Sequence, residues 1–387
     1  MDYFGISQEQ LEKSGGLWTA IEISQQPHIW PLVLQLIAGD APALRAFLDP
    51  LLRRQELRIV LTGAGTSAFV GECVAPALAR HVRLRVDAVP TTDIVGAPQS
   101  WLPSGVPTLM VSFARSGNSP ESAAALRLAQ QCVQECHHLI FTCNAEGALC
   151  KLGRTLPNAH VVVLPQETHD RGFAMTSSFS GMLLATALAF DLIGADADTI
   201  GHLARGARSL LGSTLPLVRS LVNEKFERMV YLGSNALKGL AREAALKTLE
   251  LSDGRIVAVA DTPLGFRHGP KTIINGRTLL IVMLCNDPYT RRYDVDLLNE
   301  LRSDGIAGRV LALTAQSLTG GPHADDVLIA DAATLCDLGL CLPYAVFAQT
   351  LAFMQSLALG LRPDVPNAGG TVNRVVQGVS IHPLALP

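Results

Sequence analysis

Apolar and polar positions along the chain fall into two rhythms. "LRIVLTG", "LRVDAVP", "PTLMVSFA", "HHLIFTCN" and "HVVVLP" are apolar runs of strand length. Between and after them come stretches with apolar residues at helical intervals, such as "ESAAALRLAQQCVQ" and "SSFSGMLLATALAFDLI". Short, nearly continuous apolar runs predict strands buried on both faces, and their regular alternation with helices predicts a parallel α/β sheet. Ahead of the first strand, a leader rich in Gln and Pro ("ISQQPHIWP") gives way to a helical pattern in "APALRAFLDPLLRR".

The pattern then restarts. "FERMVYLGSNALKGLARE" repeats the grammar of "ELRIVLTGAGTSAFVGE", and "RTLLIVMLCNDPYTRRYDVDLLNEL" echoes "VPTLMVSFARSGNSPESAAALRLAQ". The reading is an internal duplication of one α/β unit. It divides the chain into a helical leader (1–40), a first domain (41–200), a second domain (201–362) and a tail (363–387). The tail has Pro, Gly and Asn in place of helical periodicity and is expected to lie over the site.

Composition narrows the partners. At 387 residues and 48% hydrophobic content the chain can bury a sizeable core. Its 31 basic and 34 acidic residues, with no Lys/Arg block, give no long-range attraction for nucleic acid or anionic membrane. The expected partner is a small molecule. "MDYFGISQEQLEKSGG" lacks the positive patch and apolar core of a signal peptide, and no apolar stretch reads as long and uninterrupted enough to span a bilayer. The expectation is therefore a cytoplasmic protein. The 8 cysteines lack Cys-x-x-Cys spacing and read as buried reduced thiols, with Cys132 and Cys136 at helical spacing on one helix face.

Candidate chemistry begins at "LTGAGTSAFVGE", where a strand, a Gly-x-Gly turn and a helix start can hold a phosphate on backbone N–H groups. Gly63-x-Gly65-x-x-Ala68 also fits a dinucleotide fingerprint, with Asp87 at about the distance of a ribose-binding acid. Thr66 and Ser67 favour a compact terminal phosphate, which would accept bonds from their hydroxyls. A second loop, "SFARSGNSPES", again follows a strand and presents Arg115, Ser116, Asn118 and Ser119 before a helix near Pro120. In a parallel sheet two such loops at adjacent strand ends make one anion pocket.

With these motifs in view, the sequence resembles the sugar isomerase (SIS) family. "GAGTS" with "SxxxSGNSPES" is similar to its phosphosugar-binding loops. The resemblance implies a tandem pair of flavodoxin-like three-layer α/β/α sandwiches, each with a parallel sheet. "ETHDRGFAMTSS", "GFRHGPK", "NDPYTRRYDVDLL" and "GTVNRVVQGV" resemble more narrowly the AgaS type, known as tagatose-6-phosphate ketose/aldose isomerase and galactosamine-6-phosphate deaminase/isomerase.

Moving between an aminosugar or aldose and a ketose needs a base for the C2 proton and an acid–base partner for ring opening. "ALKTLELSDG" places Lys247 and Glu250 on one helix face at i, i+3, and "LGFRHGPK" places His268 in a Gly/Pro-flanked loop. These segments resemble the isomerase domain of glucosamine-6-phosphate synthase. By that resemblance Glu250, on the Lys-x-x-Glu helix with Lys247, is the C2 base, and His268 opens the ring. The same resemblance sets Arg171, Thr176 and Ser177 against the sugar. It also gives a homodimer or larger homo-oligomer whose site is shared between subunits.

Two departures from the synthase stand out. No glutaminase nucleophile precedes the first domain, so degradation of an aminosugar is expected rather than synthesis. Thr371 stands where the synthase tail has its Schiff-base Lys, with Arg374 close by as a substrate contact. Neither a metal nor a nucleotide cofactor is called for. His169-Asp170 alone does not make a metal-dependent hydrolase, and no basic helix-turn-helix accompanies the first domain to support a sensor. Whether deamination or plain ketose–aldose isomerisation occurs, and whether an effector uses the degenerate loop "YLGSNALKG", are left open at this level.

Overall fold

The computed structural model describes residues 2–318, 321, 323–376 and 378–385; position 377 of the quoted tail string lies outside them. Two compact units form. One, the first-sheet unit, comprises Ile29–His169, Ser177–Gly194 and Gly369–Pro387. The second-sheet unit comprises Met1–His28, Asp170–Thr176 and Ala195–Ala368.

In the first-sheet unit, strands β1 (Arg58–Thr62), β2 (Arg85–Ala88), β3 (Thr108–Ala114), β4 (Cys136–Thr142) and β5 (Ala159–Val163) are all parallel, in the order β2-β1-β3-β4-β5. Every residue of β1 and β3 is buried, as expected for central strands covered on both faces. Val60 and Met110 pack on one face with Ala125, Leu128 and Ala129 of helix α2 (Pro120–Cys132), while Ile140 and Leu149 join a second cluster with Ala114 and Leu126. Helix α1 (Thr66–Val82) packs on helix α3 (Ser177–Ala189). Residues 177–188 of α3 are buried on every side, so it reads as a core helix with no polar face.

The second-sheet unit repeats this plan. Strands β6 (Arg228–Gly233), β7 (Val257–Asp261), β8 (Thr278–Met283), β9 (Arg309–Thr314) and β10 (Val327–Leu328) run parallel in the order β10-β9-β8-β6-β7. Counted within the unit and read from the other edge, that is again 2-1-3-4-5, the flavodoxin-like order. Helices α4 (Ala236–Leu251), α5 (Thr290–Asp304) and α6 (Asp337–Ala358) complete it, with α6 packed on α4. The duplication read from the sequence is therefore present strand for strand.

Local structure adds detail to these expectations and changes some of them. The Gln/Pro-rich leader is helical from Gln8, where Ser7 and Gln10 form a reciprocal capping box. The helix Gln26–Leu52 runs through Pro31, Pro42 and Pro50, held by buried Ile29, Trp30 and Val33, whose packing outweighs the lost backbone bonds. Cys132 ends α2 while Cys136 opens β4, so they do not share a helix face; both lie in the same core cluster. Seven of the eight cysteines are buried and none is in a disulfide. Gln26–Leu52 and Asp337–Ala358 do reach the length and mean hydropathy of a membrane span, an amendment to the sequence reading, but the apolar window of the second is 94% buried.

Candidate active site

In each sheet the strand order reverses between the first and third strands, and the loops leaving their carboxyl ends flank the cleft where ligands bind in such sheets. In the first-sheet unit these are the loops after β1 and β3, whose ends lie side by side through the pairing of Thr62 with Ser112. The structure thus brings Gly65, Thr66 and Ser67 to the same sheet edge as Arg115, Ser116, Asn118 and Ser119. Backbone constraints explain the two glycines. A Cβ on Gly63 would fall 2.6 Å from the Cβ of Ser67, and Gly65 holds φ +55°, ψ −127°, a region that residues with a side chain rarely adopt.

The second loop is braced on its outer side. Asn144 Nδ2 donates to the Ser116 carbonyl (2.8 Å), and Asn118 Oδ1 accepts from the Ala148 N–H (3.0 Å). The Ser119 and Ser122 hydroxyls bond each other at 2.6 Å. Arg115 is buried and its Nη2 donates to the Arg374 carbonyl at 2.6 Å, which ties the tail segment to this loop within the first-sheet unit. Asp87, the acid a dinucleotide ribose would require, instead accepts from the Nε atoms of buried Arg58 and of Arg85. That carboxylate serves the sheet edge.

In the second-sheet unit α4 carries Lys247 and Glu250 on one face, as the spacing predicts. The Lys247 ammonium donates to Glu250 and lies 3.4 Å from Glu243 Oε1. Lys247 and Glu243 side chains are sealed, at 0% and 1% exposure, while Glu250 keeps 23%. One buried cation thus orients two carboxylates, and only Glu250 presents an oxygen to solvent or a ligand. His268 is exposed, between the helical turn Pro263–Phe266 and the 3₁₀ turn Pro270–Ile273. Its loop is pinned on both sides: Arg267 pairs with Glu300 at 2.9 Å, and Lys271 pairs with Glu300 and, at 2.6 Å, with Asp304.

The segment 170–176 rests in a nest of carboxylates that the sequence reading missed. Buried Glu22 accepts from the N–H groups of Arg171 and Gly172. Asp170, fully buried, accepts from the Thr176 N–H (2.8 Å) and hydroxyl (3.1 Å). Asp364 takes the N–H and hydroxyl of Thr19, at 2.8 and 2.7 Å, and its carbonyl accepts from Phe173 N–H at 3.2 Å. The exposed Arg171 guanidinium lies 4.3 Å over the Trp18 ring. Ser177, the first residue of α3, is buried in the other unit. Among the described residues no three His, Cys, Asp or Glu side chains cluster to hold a metal ion.

Burial, with the neighbouring Asp170 charge next in weight, pushes the Glu22 carboxyl up to about 8 against the pull of the two N–H donors. A raised carboxyl pKa means the folded state holds a proton that the unfolded chain releases near 4.5. The associated stability is therefore complete below that value and is lost as pH rises through about 8. At about 1.4 kcal/mol per tenfold change in proton affinity, the loss amounts to a few kcal/mol. Thermal unfolding followed across this range is expected to show a falling Tm in the native chain and a flatter profile in Glu22→Gln, which keeps an acceptor oxygen but cannot ionise. Parallel profiles would refute the assignment.

Two parallel sheets of this order, with a hydroxyl-lined loop pair at the first switch point, define the SIS-domain class, and the SIS domain model matches residues 51–192. Over 372 residues the chain is 47% identical to D-galactosamine-6-phosphate deaminase AgaS of Escherichia coli O157:H7, covering 95% of this chain and 96% of that protein. It is 42% identical over 381 residues to the protein of the same description from Shewanella sp. strain ANA-3, covering 98% and 95%. The crystal structure of tagatose-6-phosphate ketose/aldose isomerase from Escherichia coli superposes with a TM-score of 0.88 at 44% identity, covering 95% of this chain and 97% of that one. The chain belongs to the AgaS family of SIS-domain proteins.

Proposed function

We propose that the protein converts D-galactosamine 6-phosphate and water to D-tagatose 6-phosphate and ammonia, in the cytoplasm and as a homo-oligomer, without metal or nucleotide. The observation that carries this reading is the near end-to-end relationship to proteins named D-galactosamine-6-phosphate deaminase. The geometry of Glu250 supports it, since a partly accessible carboxylate anchored by a sealed lysine is suited to moving a proton repeatedly between fixed carbons.

In this reading Gly65, Thr66, Ser67, Arg115, Ser116, Asn118 and Ser119 hold the phosphate. Arg171, Thr176, Ser177 and Arg374 serve the sugar hydroxyls directly or by shaping their loops. His268 carries a proton between the anomeric hydroxyl and the ring oxygen, opening the ring. Glu250 then takes the C2 proton and returns it at C1, which leaves C2 as an imine. Water adds to that imine and ammonia leaves, so one water is consumed per turnover. No step calls on a lysine Schiff base, consistent with Thr371 in the tail.

Ketose–aldose isomerisation without loss of nitrogen is the second reading, favoured by the description of the solved Escherichia coli relative. A coupled assay separates the two. Galactosamine 6-phosphate is expected to give ammonia and tagatose 6-phosphate in equal amounts. If it is inert while galactose 6-phosphate and tagatose 6-phosphate interconvert, the second reading replaces the first.

A further inference from the structure

The second-sheet unit preserves the backbone of the phosphate-loop pair and fills it from within. Gly233 ends β6 at the position where Gly63 follows β1, and a Cβ there would lie 2.4 Å from the Leu237 carbonyl oxygen. Asn235 holds φ +55°, ψ −126°, the same conformation as Gly65 although it is not glycine. The hydroxyls are gone: Ala236 and Leu237 open α4 where Thr66 and Ser67 open α1. Leu232 pairs with Val282 as Thr62 pairs with Ser112, so Cys285 and Asn286 stand in the places of Arg115 and Ser116. The cation of the first loop is therefore replaced by a buried thiol, which burial and then the Asp294 charge keep neutral.

The donors of this second cradle are taken by the chain's own carboxylates. Fully buried Asp294 bridges both loops, accepting from the Ser234 hydroxyl at 2.6 Å and from the Cys285 N–H at 3.0 Å. Asp337 Oδ1 accepts from the N–H groups of Asn286 (2.6 Å) and Asp287 (3.2 Å). Arg291 points elsewhere, donating to the Cys285 and Gln316 carbonyls and the Thr314 hydroxyl. Asn286 spends its amide on the Ala332 and Leu335 carbonyls.

Both carboxylates come from positions of the repeat that are neutral in the first-sheet unit. Asp294 is the fifth residue of α5, where α2 has Ala124. Asp337 is the first residue of α6, the helix packed on α4, and its counterpart at the start of α3 is Ser177. Bridging two loops at a switch point, through a hydroxyl and backbone N–H groups, is what a bound phosphate does.

We infer that Asp294 and Asp337 are the resident anions of a vestigial second phosphate cradle, so that this switch point accepts no external effector and each chain offers a single phosphosugar site. The closure stands on the second-sheet unit alone; the location of the remaining site rests on the proposed function.

Chemical rescue tests the closure. Asp294→Ala leaves the Ser234 and Cys285 donors facing a gap the size of formate, and its Tm is expected to fall. Added formate should restore at least half of the loss while leaving the native Tm almost unchanged. Formate without effect on the variant, or with equal effect on the native chain, overturns the inference. Should that variant not fold, Asp337→Ala is rescued in the same way. Equilibrium dialysis of the native chain against inorganic phosphate provides the independent arm: two equivalents per chain overturn the inference, whereas one or none supports it. Finding none would count against the first-sheet phosphate loops, and so against the proposed activity, without touching the closure.

Discussion

Glu250→Gln is expected to slow exchange of the substrate C2 proton with solvent by about 10²–10⁴-fold, the usual contribution of a positioned general base. The substitution keeps the shape of the side chain and an oxygen for the Lys247 ammonium, so α4 should remain folded. Only basicity is removed. The argument for Glu250 over its neighbour rests on access: Glu243 approaches the same ammonium but is 1% exposed, against 23% for Glu250. Deuterium wash-in at C2, followed by NMR, reads the step directly and separates it from ring opening and ammonia release. Near-native exchange in Glu250→Gln would remove it from the mechanism even with the family assignment intact.

His268→Ala should fail at a different step. Loss of ring opening is expected to cost closed-ring substrate a similar 10²–10⁴-fold in rate, while an open-chain analogue that cannot cyclise is spared. The loop should keep its shape because Glu300 and Asp304 hold its flanks through Arg267 and Lys271 rather than through the imidazole. In the proposed oligomer this loop serves a neighbouring subunit. Mixing the two inactive variants should then restore activity, up to about a quarter of native for random reassortment of dimers, because half the dimers are mixed and each of those has one intact site. Equal collapse on the open-chain analogue would mean that His268 does something other than open the ring. Absence of complementation with both defects confirmed would mean that each site is built within one chain.

Much of this architecture was written in local pattern. Central strands such as "LRIVLT" and "TLLIVM" bury both faces and therefore show unbroken apolar runs, and the restart at "FERMVYLG" is visible because the same tight turn needs the same glycine. Lys247 and Glu250 were legible because three residues make nearly one helical turn. What escaped depends on distance along the chain. Glu22 meets Arg171 and Gly172 about 150 residues away, and Asp364 meets Thr19 from 345 away; neither acid differs in its local context from a solvated surface residue. Asp337 looked like an ordinary first-turn acid on a helix, and only the fold sets it against Asn286 and Asp287. Cys132 and Cys136 misled for the opposite reason: helical spacing was present, but the helix ended at Cys132.

The exchange of end segments between the two units also sets an order of events during synthesis. The segment Met1–His28 precedes the first sheet along the chain yet belongs with Ala195–Ala368, so it cannot complete its contacts until the first sheet has been made. That sheet can assemble early from mostly local strand pairings, but Gly369–Pro387, which brings the Arg374 carbonyl to Arg115, arrives only after the second sheet has been completed. The loop proposed to grip the phosphate thus receives its brace only after both sheets have been synthesised. A nascent chain stalled between the two sheets would hold a first sheet that lacks this brace, so the Arg115 tie forms only once the residues of the second-sheet unit have been made.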